Sequence, residues 1–185
     1  MAIMVARARS GCWGSKPLAG GVLLLSAAAG GALAGGLAGA LGAALPVPAR
    51  TVLVMLALAA LVAAAAAGRR PTQLDRETPQ SWLRYGDART AALNGLALGS
   101  GVSTRIGFWS FHLAVVAVTA AGDWALGALA LAAFGVARIG SSLVLAGTAF
   151  TTEAGRRAVM DLYPVARTAS TVLVLCLAPL LALSL

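Results

Sequence analysis

Two arginines sit inside long apolar runs: Arg105 within GVSTRIG, residues 101–107, and Arg138 within GVARIG, residues 135–140. A charge in hydrocarbon is costly, so it turns toward other helices or a water-filled cavity and marks a functional hypothesis. What a guanidinium does best is grip carboxylate, phosphate or sulfate through its planar fork of donors. The plainer alternative is that both side chains snorkel to the headgroups as anchors. Helical spacing gives Arg105 a shared face with Trp109, His112, Val116 and Thr119, and gives Arg138 a shared face with Ser141, Ser142 and Leu145. Arg105, Arg138, His112 and Ser141 are therefore the candidate anion- or substrate-binding residues. For His112, packing or hydrogen bonding is the commoner role, and a proton relay the rarer one. No carboxylate falls deep in an apolar run, and no Ser-His-Asp set, phosphate-cradling loop or metal-ligand cluster is legible. The expectation is a protein that is not an enzyme, with no catalytic residue, no metal and no cofactor.

The two arginine-bearing runs meet at the short acidic turn Ala121-Gly122-Asp123-Trp124. Arg105 precedes Ala121 by sixteen residues, about 24 Å of helix, and Arg138 follows Asp123 by fifteen. A hairpin of two spanning helices, 93–121 and 124–148, would bring both arginines to the inner third of a bilayer. The matching motifs would then cross in opposite directions, as in an inverted repeat of a transporter.

The composition sets the class that these helices belong to. Hydrophobic residues make up 59% of 185 and charged residues 11%. A soluble domain carries about 25% charged residues, so this chain cannot cover a water-facing surface. The predicted fold is all-α: a polytopic membrane bundle with spans at about 18–45, 51–67, 93–121, 124–148 and 168–185. A basic tail, residues 1–17, precedes this single transmembrane domain. With a cytoplasmic N-terminus, the tail, the loop 69–90 and the loop 151–167 collect eleven of the fourteen Lys and Arg. That asymmetry predicts a bacterial plasma-membrane protein, N-terminus inside and C-terminus outside. Those loop arginines also account for the net charge of +8 without nucleic acid, since no aromatic interleaving accompanies them.

Small residues predict how the helices pack. Gly31, Gly35 and Gly39 recur every four residues and share a face, and Gly95 and Gly99 do the same. Such faces let backbones approach closely. Trp82, Tyr85 and Trp124 are expected at the headgroup level as interfacial anchors. Ala32-Leu33-Ala34 also reads as a signal-peptide cleavage site, which would leave four spans. Pro179 is expected to kink the last span. Cys12 and Cys176 have no CxxC spacing and read as unpaired thiols.

Gln73-Leu74-Asp75-Arg76, Trp82, Tyr85-Gly86 and Gly95 to Gly107 carry a resemblance. Over residues 69–143 the chain resembles small actinobacterial membrane proteins related to the DsbD/CcdA-type thiol–disulfide electron carriers, within the LysE-like exporter superfamily. Those carriers use two intramembrane cysteines, commonly beside prolines. The first span here ends in Ala43-Ala44-Leu45-Pro46 without one, so the resemblance implies no catalytic residue. The functional expectation is a transporter-like protein for an anion or small metabolite, or a degenerate relative of the electron carriers. The alternative is a structural or assembly subunit docking other membrane subunits or a second copy of itself.

Overall fold

The computed structural model describes residues 16–69, 71, 87–101, 108–147 and 153–184. It is an all-α bundle of six helices: α1 (Lys16–Ala44), α2 (Val47–Ala66), α3 (Asp87–Ser100), α4 (Trp109–Ala121), α5 (Trp124–Gly147) and α6 (Glu153–Leu183). No strand occurs among the described residues. Four of the helices, α1, α2, α5 and α6, are long and apolar enough to cross a membrane. Leucines point outward: Leu33, Leu37 and Leu41 form an exposed row on α1. In water such a row would be a liability; against lipid tails it is the favoured surface.

The inward face of α1 is glycine. A Cβ at Gly31, Gly35 or Gly39 would collide with the α5 backbone at Leu131, Gly127 and Asp123 respectively. The paired numbers fall by four as the others rise by four, so α1 and α5 are antiparallel at backbone contact. Gly35 and Gly127 each lie against the other's carbonyl. Gly95 and Gly99 of α3 press on Leu23, Ser26 and Ala27 of α1. Ala27 is wholly buried, and Gly99 of α3 and Gly135 of α5 both close on its carbonyl. α1 runs as one helix through Ala32-Leu33-Ala34, so a cut there would remove the surface that α3 packs on and the Ala27 and Gly31 contacts of α5.

Two departures from the sequence expectations matter for function. The third span is two helices, because α3 stops at Ser100 and α4 begins only at Trp109. Gly101 takes a left-handed φ of 72°, and Phe108 is extended at φ −125°, ψ 132°. Hydropathy misses this because it reads apolarity, whereas Gly99-Ser100-Gly101 is poor helix sequence whatever its polarity. Both pieces run the same way along α1, since Leu23 meets Gly95, Ala27 meets Gly99, and Gly42 meets Thr119. The second departure is α6. Residues 153–167, expected as a loop, are already helix, and Pro164 as well as Pro179 lies inside it.

The six helices sort into two triplets. α1, α3 and α5 share a core of Ala19, Leu23, Ala27, Ala91 and Ile139. α2, α4 and α6 share another, with Val54, Leu58, Trp109, Leu113, Val174 and Ala178. Phe111, Leu131, Ala34 and Phe134 join the triplets where α4 meets α1 and α5. The broken span thus gives one piece to each half.

Candidate functional site at the broken span

A helix that ends inside a bundle leaves unpaired carbonyls at one stump and unpaired N–H groups at the next. In an apolar surround those groups must find partners within the protein. At the α3 stump, Arg138 on α5 donates from Nη1 to the Leu98 carbonyl at 3.1 Å, and Ser100 Oγ donates to the Ala97 carbonyl at 3.2 Å. A guanidinium here also meets the negative end of the helix dipole. At the α4 stump no side chain of its own turn caps the helix. Instead the Ser110 N–H donates to Oγ of Ser170 on α6, a buried serine, at 3.0 Å. One backbone group at each stump is therefore met from a neighbouring helix, Leu98 from α5 and Ser110 from α6.

Register fixes where Arg138 lies relative to α4. Phe111 and Phe134 pack with ring centroids 5.1 Å apart. Arg138 follows Phe134 by one turn on the same stripe, about 6 Å further along α5. α4 reaches only two residues past Phe111 in that direction, about 3 Å. Arg138 accordingly sits just beyond the amino end of α4, in the gap between the stumps.

The other site residues expected from sequence fall as follows. Arg105 lies outside the described residues, as do Trp82 and Tyr85, and it precedes the start of α4. The helical face through Trp109, His112 and Thr119 begins at Trp109, since Phe108 before it is extended. His112 lies on the first turn of α4, half-buried, its ring 5.8 Å from those of Trp109 and Phe111. Ser141 is exposed and donates to the carbonyl of Arg138 at 3.0 Å, and half-buried Ser142 donates to the same carbonyl at 2.8 Å. Ser141 is therefore used on its own helix and does not join the guanidinium. Trp124 is exposed at the start of α5, whose first turn is capped by Asp123 through Ala125 and Leu126. The repeat departs from itself at its first residue: Gly101 is a left-handed terminus, and Gly135 is mid-helix against Ala27.

One group was missed altogether. Tyr163, Arg167, Ser170, Val174 and Ala178, spaced by three and four, form the α6 stripe that faces α4. Tyr163 packs on Phe108 at 5.8 Å, Ser170 binds Ser110, and Val174 and Ala178 enter the shared core. The spacing was legible, but Pro164 and the flanking charges disguised it as loop. The opposite face of α6 carries an apolar concavity of about 810 Å³ along Pro164, Thr168, Val172 and Cys176. Lined by one helix alone, it is a lipid-facing groove, and Cys176 is an exposed free thiol there.

Compared with known proteins, the chain matches no family model, no curated protein and no solved structure.

Proposed function

We propose that this is a small multi-pass plasma-membrane transporter that carries an anionic solute through the break in its third span. The observation that carries the reading is the pair of stumps at mid-bundle, one held by Arg138 and the other by Ser170. Irregular backbone at membrane depth is tolerated where it is buried in protein or lines a water-filled cavity, and discontinuous helices build solute sites in many transporters. Arg138 supplies the positive charge, and the amino end of α4 adds the positive end of its dipole. One further observation supports transport over an assembly role: the Gly31/Gly35/Gly39 face is spent inside the monomer rather than left for a partner. An electron carrier would bring two cysteines together; Cys176 lies on the face of α6 turned away from α4, and Cys12 lies outside the described residues.

In this reading α3 and α4 make one pass, the chain crosses five times, and the N-terminus is cytoplasmic. Cysteines at Ala121 and Ala154, in a background lacking native thiols, test the orientation. An impermeant external reagent should label position 121 and spare 154, and the reverse pattern would overturn it. The function is tested by flux in proteoliposomes loaded with chloride, phosphate, sulfate or small carboxylates. We expect uptake of at least one, abolished in Arg138→Lys while expression and melting temperature hold, because lysine lacks the fork. No flux of any of these anions, or full flux in Arg138→Lys, rejects the proposal.

A further inference from the structure

Arg50 is the only charged residue between Lys16 and Arg69, and it stands in the first turn of α2. A positive charge there opposes the dipole of its own helix, so its gain must come from elsewhere. Arg50 Nη1 donates to the carbonyl of Gly42, in the last turn of α1, at 3.3 Å. The same guanidinium lies against Gly122, the left-handed residue that ends α4 at φ 62°. A Cβ at Gly122 would collide with Nη1, and one at Gly42 would collide with the Thr119 carbonyl of α4. One cation thus meets the negative ends of two helices that touch each other. Asp123 is spent elsewhere, on the N–H groups of Ala125 and Leu126.

The stretch of α2 that carries Arg50 has little else to hold it. From Val47 to Leu53 no side chain is buried, and Val47, Val52 and Leu53 are exposed. Packing begins at Val54, which is 1% exposed, and from there α2 lies on α4 and α6. Among the described residues, the Arg50 bond is the one side-chain hydrogen bond from this stretch to another helix. The turn Leu45-Pro46 tethers α2 to α1 without fixing the angle between them, because proline locks φ and leaves ψ to its surroundings.

We propose that Arg50 is a strap. It latches the amino end of α2 over the carbonyl ends of α1 and α4, and α2 swings open from that end when the latch is released. The strap stands whether or not the protein carries a solute.

The test uses the full-length protein purified in detergent, with Cys12 and Cys176 replaced by serine. Val52→Cys on α2 and Leu126→Cys on α5, both at exposed positions, carry spin labels whose separation is measured by pulsed electron resonance. Leu37→Cys and Leu129→Cys, exposed on α1 and α5, form the control pair. With Arg50 intact, the first pair should show one short distance. In Arg50→Met, which keeps the bulk and loses charge and donors, a longer distance should appear. Its population should rise at least about tenfold, as the loss of one charge-assisted hydrogen bond implies. Arg50→Lys keeps the charge without the fork and should fall between the two. The control pair should not change. If Arg50→Met does not fold, Arg50→Lys decides, and it must show the longer distance. A deciding variant with the unaltered distribution overturns the strap. So does an equal change in the control pair, which would make Arg50 a support of the whole fold.

Discussion

The two triplets solve helix packing in different ways. In α1, α3 and α5 glycine meets backbone, and the contact is made by Gly31, Gly35, Gly39, Gly99, Gly127 and Gly135. In α2, α4 and α6 side chains interlock: Val54, Leu58, Trp109, Leu113 and Val174 are buried among one another. Lipid tails are as apolar as leucine, so neither half gains much by hiding hydrocarbon; shape and close contact decide both. The glycine half has little freedom, since its backbones already touch. The branched half can shift by changing rotamers. If one half moves, it is the second, carrying Ser170 with it.

The largest effect should come from the glycine half. Gly35→Leu drives a side chain into the Gly127 carbonyl and the Leu131 side chain, and helices at backbone contact cannot yield without parting. We expect loss of nearly all folded protein by size-exclusion chromatography. Leu37→Ile, on the lipid face at 66% exposure, should stay within about 0.5 kcal/mol. Equal behaviour of the two would abolish the contrast between the halves.

Leu58→Ala should be milder. Leu58 is 3% exposed in the branched core, and the change would cost about 2–5 kcal/mol in water. In a lipid-solvated bundle the transfer component is absent, so the loss should fall below that range, with the fold kept. A collapse as complete as that of Gly35→Leu would mean that both halves are equally rigid. Ser170→Ala should be smallest, about 0.6–1 kcal/mol from one lost hydrogen bond at the α4 stump. Its melting curve reads that directly, and a loss several times larger would mean that Ser170 holds more than Ser110.

Much of this was legible in the residues. Periods of four named Gly31, Gly35, Gly39, Gly95 and Gly99, and the apolar runs located α1, α2 and α5. The break was not legible, because a window average over 93–121 sees the same apolarity whether the backbone is helical or not. Nor was the reach of α6: Arg156, Arg157, Asp161 and Pro164 together imitate a loop, although proline inside a helix needs only neighbours that replace its missing bond. The candidate site suffered most. Of the residues first singled out, Arg138 stands at the break and His112 on the first turn beyond it. Ser141 turns back on its own helix, and Ser170 on α6, which meets the α4 stump, was hidden by the same disguise.

The alternation of helices between the triplets also bears on how the chain is made. Gly31 has its contact at Leu131, one hundred residues later. At about 5–20 residues per second of synthesis, α1 waits roughly 5–20 seconds in the bilayer before its partner leaves the ribosome. A helix so rich in glycine would fray in water over that time. Hydrocarbon offers its peptide groups no competing partner, so it persists alone. Assembly is therefore a second stage in which α3 can dock first on Leu23, Ser26 and Ala27, while the Gly31/Gly35/Gly39 face is covered only when α5 has been inserted.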